Sequence, residues 1–185
     1  MPAERRPNRG PSAAAGNRAA LVAAAREVFA TAGYDAPLSA VARQAGVGQG
    51  SLYRHFPDRI SLALAVFEDS IAELEALAAA PGTTLDDLLA LITEQTVAST
   101  AFITMVSVPA RPDPRLLAMR DRVAKLLEGG LARAREAGLV RADLTADDLV
   151  LAVGMLAGVL SKVPAADRLP TAGRLWSLLR QGIEA

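Results

Sequence analysis

At 185 residues, 51% of them apolar, the chain is long enough for one or two small domains with a sizeable core, and too apolar to stay unfolded over most of its length. The absence of Cys excludes a disulfide framework, thiolate metal ligands and a Cys nucleophile. Net charge is zero but uneven: residues 1–60 hold eight Arg and four acids, so +4, and residues 61–185 hold twelve basic residues and sixteen acids, so −4, which suits a polyanionic partner at the N-terminal end only.

Residues 1–15 hold three Pro, three Arg and little that packs, and read as a flexible basic arm. Arg5, Arg6 and Arg9 are placed to reach a minor groove, and no apolar run follows them as a secretory signal requires. The spacing of Leu21, Ala25, Val28, Phe29 and Ala32 predicts an amphipathic helix over Asn17–Ala32, ended by Gly33. Pro37 suits the first turn of a second helix that runs to Ala45, with Leu38, Val41, Ala42 and Ala45 inward. Gly46-Val47 turns the chain into a very short third helix. Leu52 and Phe56, four apart, share its inner face; Gly50, Ser51, Tyr53 and Arg54 face away, with Gln49 and His55 at the border. A helix this short must dock on neighbours, and its many hydrogen-bonding groups suit display rather than core building. Pro57 stops it. Asp58 is the expected N-cap of a fourth helix, lined inside by Ile60, Leu64, Phe67, Ile71 and Leu74 and ended by Pro81-Gly82.

The remainder reads as helical too. Thr84 to Asp87 resembles a capping box that opens a helix from Leu85 to about Ser99. A short helix is expected over Thr100–Val108, and Pro109, Pro112 and Pro114 mark a loop. A helix from Arg115 to Ala137 closes at Gly138, and Gly129-Gly130 within it imply a bend or a close backbone contact. Thr145 caps a helix from Ala146 to about Ser161, and Thr171–Ile183 makes the last one. No segment alternates as a strand does, so the expected fold is all-α, with about nine helices.

The run Leu149–Leu160 is apolar on every side but shorter than the ~20 residues a bilayer needs, so the expectation is a cytoplasmic protein without a membrane partner. A helix apolar all round must be covered all round. One side is expected on its own domain and the other on a second subunit, through Val153, Gly154, Leu156, Ala157, Gly158 and Leu160, with Leu175, Trp176 and Leu179 of the last helix. His55 is the only His, and no Ser-His-Asp or His-cluster partner set accompanies it to build a catalytic or metal site. Gly46-x-Gly48-x-Gly50 lacks the sixth-position Gly of a nucleotide loop and follows a helix rather than a strand. An enzyme, a metal and a cofactor are therefore not expected.

Phe29…Gly33-Tyr34, followed by Val41-Ala42-Arg43-Gln44-Ala45-Gly46-Val47-Gly48-Gln49-Gly50-Ser51-Leu52-Tyr53-Arg54-His55-Phe56-Pro57-Asp58-Arg59, resembles the DNA-binding region of the TetR family of bacterial transcriptional regulators, over about residues 17–64. The run from Leu175 to Gly182 looks like that family's final helix. The resemblance implies a helix-turn-helix domain over 16–64, with its motif at about 37–56, and a ligand-binding and dimerisation domain over 65–185. It implies a homodimer with two short helices in successive major grooves of a palindromic double-stranded operator, released when a ligand fills the C-terminal domain. By position, Gln49, Gly50 and Ser51 would approach base edges, Tyr53, His55 and Arg59 would hold phosphates, and Arg54 could do either. Gly48 departs from the pattern, since many relatives carry a Ser or Thr cap there. The chemistry agrees: Gln matches an adenine edge, Arg a guanine edge, and Tyr, His and Arg are ordinary phosphate donors. The implied cavity falls among residues otherwise read as core: Phe67, Ile71, Leu88, Ile92, Phe102, Met105, Met119, Val123 and Met155, with Gln95, Thr96, Ser99, Thr100 and Thr104 as candidate polar contacts. With no obvious buried charge there, the expected ligand is small and apolar. The expected function is a ligand-responsive repressor. The alternative, a helical interaction protein without DNA binding, has no use for an exposed Gln-Gly-Ser-x-Tyr-Arg-His surface.

Overall fold

The computed structural model describes residues 11–99, 113–181 and 183. Among them eight α-helices and one 3-10 turn follow in order: α1 (Pro11–Ala32), α2 (Leu38–Gln44), α3 (Gln49–His55), α4 (Arg59–Ala79), α5 (Leu85–Ala98), α6 (Pro114–Glu136), α7 (Ala146–Leu160), the turn Ala165–Asp167, and α8 (Arg168–Arg180). The fold is all-α, as the punctuation by Gly and Pro predicts. The helix expected over Thr100–Val108 lies outside the described residues, as do Phe102, Met105 and the first ten residues of the arm. α1 begins at Pro11 rather than Asn17. Pro is well suited to a first helical position, and Ala13, Ala14 and Ala15 behind it are the strongest helix formers, so residues 11–15 are helix rather than arm. No helix among the described residues is long and apolar enough to cross a membrane.

The chain divides into two compact units between Val66 and Phe67, within α4. In the N-terminal unit the first three helices and the start of α4 share one core: Leu21, Ala25 and Phe29 of α1, Val41 and Ala42 of α2, Leu52 of α3 with Phe56 just after it, and Leu62, Ala63 and Val66 of α4 are all buried. α2 stops because Gly46 takes φ +64°, a conformation other residues rarely adopt. That lets the Gly46 N–H donate to Arg43 O at 3.1 Å and the Val47 N–H to Ala42 O at 2.9 Å, which satisfies the last carbonyls of α2 and aims the chain into α3. α4 starts where the Ser61 N–H donates to Asp58 Oδ1 at 2.7 Å, the cap expected from sequence.

In the C-terminal unit, α5 and α7 open on matching capping boxes, Thr84 with Asp87 and Thr145 with Asp148. Leu74, Leu85, Leu88, Ile92, Leu127, Leu131, Leu149 and Val153 form its main core. Gly130 is where α6 meets the start of α5: a Cβ there would lie 3.2 Å from Leu88 Cδ1 and 3.3 Å from Leu85 Cα. The glycine pair therefore marks a close backbone contact. Arg122 of α6 reaches two carboxylates of α4, Glu75 at 2.5 Å and Glu68 at 2.8 Å. That hydrogen-bonded guanidinium holds the Glu75 carboxyl below its ordinary range.

Candidate nucleic-acid interface

α3 is a seven-residue helix with one buried residue, Leu52. Burying one Leu side chain is worth only about 2 kcal/mol, too little to hold a helix this short. Its place is set from both ends instead. The Gly46 turn fixes its entry. At its exit Phe56 is buried, its N–H donates to Leu52 O at 2.8 Å, and the Arg18 guanidinium lies 5.3 Å from its ring centre. The remaining side chains are spare. Gln49, Gly50, Tyr53 and Arg54 are exposed, Tyr53 by 52%, while Ser51 and His55 are half-buried. The Arg54 Nε–H donates to Gly50 O at 3.2 Å, so its guanidinium lies back along α3. His55 packs its ring 6.4 Å from that of Phe56. Gly48 caps α3 with an extended backbone and no side-chain bond, and a Cβ at Gly48 or Gly50 would meet nothing within 4 Å.

Arg59, expected to hold a phosphate, is engaged within its own unit. It is half-buried, its Nη1 donates to Tyr34 O and, at 2.6 Å, to Ala36 O, and its guanidinium stacks 5.3 Å from the Tyr34 ring centre. Reaching a phosphate would strip two loop carbonyls of their donor, which is costly for partly buried groups. Sequence reasoning also passed over Arg43, exposed in the last turn of α2, and Arg18. Clustering of Arg near the turn was the available signal.

The residues expected at a subunit contact divide by burial. Val153, Gly154, Leu156, Ala157 and Leu160 are buried within their own chain. Trp176 faces inward too, its indole N–H donating to Thr93 Oγ1 at 2.6 Å, and Leu175 and Leu179 are half-buried. The uncovered face of α7 is Leu151 (61% exposed), Met155 (50%) and Val159, with half-buried Gly158 between, and Leu178 of α8 is also exposed. A helix apolar at every position has no stripe, so its pattern could not tell which face the chain leaves open.

Met155, placed in the ligand set from sequence, belongs to this outer face instead. Phe67, Ile71, Ile92, Thr96 and Met119 are buried and Val123 half-buried, on α4, α5 and α6. Ile92 and Val123 pack in one cluster. The Gln95 amide donates to Ser70 O at 3.1 Å and to Glu73, which ties α5 to α4. None of these residues lines the cleft of about 1280 Å³ that the unit contains. That cleft is walled by Leu85, Leu89, Thr93, Leu139, Leu169 and Trp176, with Arg133 bonded to Thr83 O and Arg180 to Asp86.

The family model of the bacterial regulatory proteins of the tetR family matches residues 21–66. No curated protein matches the chain significantly in sequence. Solved structures match it in fold. CprB, a TetR family protein of Streptomyces coelicolor, shares the fold with a TM-score of 0.67 at 23% identity, over 93% of this chain and 90% of its own. A structure described as the molecular basis for control of antibiotic production by bacterial hormones is 28% identical, with a TM-score of 0.64 over 96% of this chain and all of its own. A TetR transcriptional regulator of Streptomyces coelicolor is 29% identical, with a TM-score of 0.55 over 90% and 98%. What they share with this chain is the all-helical fold, and over residues 21–66 the chain matches the DNA-binding region of the TetR family of bacterial regulatory proteins.

Proposed function

We propose that the chain is a homodimeric, cytoplasmic repressor that binds a palindromic operator with two copies of α3 and leaves it when a small apolar ligand occupies the C-terminal unit. The observation that carries this is α3 itself, a helix that buries one side chain and shows Gln49, Gly50, Tyr53 and Arg54. Gln49 and Arg54 have the donors to read base edges, and Tyr53, Ser51, His55 and Arg43 to hold phosphates. One α3 reads too few bases for useful affinity. Two, held about 34 Å apart, read a two-fold site in successive grooves. The apolar stripe Leu151–Met155–Val159 is the surface we assign to the second subunit.

For the ligand we favour the interior between α4, α5 and α6 over the open cleft. Thr96 of α5 is fully buried, and the hydroxyl of Ser99, one turn on, is buried without a hydrogen-bond partner among the described residues. An apolar molecule with one polar group would satisfy it. Selection of duplexes from random sequence, followed by titration across a salt series, tests the whole reading. The expected result is a two-fold symmetric site bound with a steep salt dependence. A protein that selects no sequence and binds no duplex at low salt would refute it. For the ligand, a compound that raises the melting temperature and releases the operator should lose both effects in Ser99→Ala, whereas loss in Thr93→Ala alone would place it in the cleft.

A further inference from the structure

We infer that Arg59 is a positioning residue for α3, acting through the loop between α1 and α2; the inference rests on the DNA-binding reading above. Arg59 stands three residues after Phe56, on the strand of chain that leaves α3, and it is the first residue of α4. Its Nη1 bridges the carbonyls of Tyr34 and Ala36, 25 and 23 residues earlier, in the loop that enters α2. Its plane lies against the Tyr34 ring, and that ring packs 5.8 Å from Phe29 in the core. One guanidinium therefore joins the way into α2 to the way out of α3. The other fastenings on this path are equally specific: the Gly46 turn between α2 and α3, and the Asp58 cap that fixes the backbone at the start of α4. A second arginine, Arg26 of α1, donates to Val66 O of α4 at 3.2 Å. α3 has one buried residue, so its tilt is decided by these ties rather than by its own packing. Arg sets the two N–H bonds of one nitrogen on the two carbonyls while the flat guanidinium lies over the ring; a Lys ammonium, on a shorter stem and without a planar face, does not reproduce both.

The test compares the full-length protein with Arg59→Lys and Arg59→Met on two duplexes, the sequence selected by the wild type and a scramble of the same length, each titrated across a salt series. A positioning role predicts that both variants lose about ten- to hundred-fold in affinity for the selected duplex. The scramble is bound as by the wild type and the salt slope is unchanged, so discrimination between the two collapses. Circular dichroism melts show whether each variant is folded at the assay temperature, and Arg59→Lys, which keeps charge and bulk, serves if Arg59→Met is not. A phosphate role predicts the reverse: Arg59→Lys close to wild type, and Arg59→Met weaker on both duplexes with a slope flatter by roughly 0.9 per lost contact. That result overturns the inference. So does a lowered melting temperature with discrimination intact, since it would make Arg59 a brace for the fold alone. A wild-type protein without salt-steep duplex binding would instead refute the DNA-binding reading.

Discussion

α3 and α7 each leave one face that the chain itself does not cover, and the two faces are opposites. α3 buries one residue and shows an amide, a phenol and a guanidinium from Gln49, Tyr53 and Arg54. α7 buries eight residues and shows Leu151, Met155 and Val159. An apolar face gains by leaving water whatever covers it, roughly in proportion to area. A polar face gains only if the partner replaces the hydrogen bonds it had with water. α3 therefore suits a surface with fixed donors, acceptors and charge, and α7 a patch like itself. The chemistry of an uncovered face, more than its extent, points to the class of partner.

Charging the apolar face should break this contrast most severely. Met155→Glu puts a carboxylate at the centre of the stripe without disturbing the core of its own chain. We expect a folded monomer by sedimentation, with operator affinity lower by about 10²–10⁴-fold once the second contact is no longer intramolecular. A dimer that persists at low concentration with full affinity would move the subunit contact elsewhere. On the polar face, Gln49→Ala should cost about 1–3 kcal/mol per half-site and relax preference at one base position, read from binding to a panel of single-base variants. An unchanged preference would remove Gln49 from base reading.

Two glycines sharpen the same contrast from inside. Gly130→Ala must push α6 off the Leu85 backbone, and we expect it to lower stability by about 1–3 kcal/mol in denaturant melts despite the better helix former. Gly50→Ala meets nothing in the chain and should raise stability by up to about 1 kcal/mol. If α3 lies close against DNA, the same change should weaken operator binding. Tighter or equal binding by Gly50→Ala would mean that the backbone does not approach the duplex there.

The smallest expected effect is on acid stability. The carboxyls of Asp87 and Asp148 are held below their ordinary range by the Thr84 and Thr145 hydroxyls, then by the backbone N–H groups of the same residues. A folded-state pKa below the unfolded one gives stability that is fully present above the unfolded value, about 3.9, and is lost as pH falls through the lowered one. Asp87→Asn with Asp148→Asn should therefore flatten the fall of melting temperature below about pH 4. An acid limb as steep as wild type would show that the boxes do not titrate with folding.

Local chemistry made much of this legible from sequence. Gly46, Asp58 and the two Thr-x-x-Asp boxes act on backbone within four residues, so their effects could be read from their neighbours alone. Arg59 could not be read that way. Its position in the motif suggests a phosphate, but its destination depends on where folding leaves the carbonyls of Tyr34 and Ala36. The outer face of α7 failed for another reason. Leu156 and Met155 are adjacent and equally apolar, and only packing by neighbouring helices buries one and exposes the other. Gly130 falls between these cases: its cost within a helix flagged a close contact, and the fold supplied Leu85 as the partner.

Trp176 is the only tryptophan, and both tyrosines, Tyr34 and Tyr53, belong to the N-terminal unit. The indole bridges α8 to Thr93 of α5 through its hydrogen bond, and its emission colour depends on that bond and on how far water reaches the half-buried ring. Light absorbed at the red edge of the spectrum excites this indole alone and reports on the C-terminal unit. Phenol resonances report separately on the other: Tyr34 under the Arg59 guanidinium, Tyr53 on the outward side of α3. Each unit thus carries a natural optical or magnetic label, and occupation of one can be followed separately from engagement of the other without an added dye.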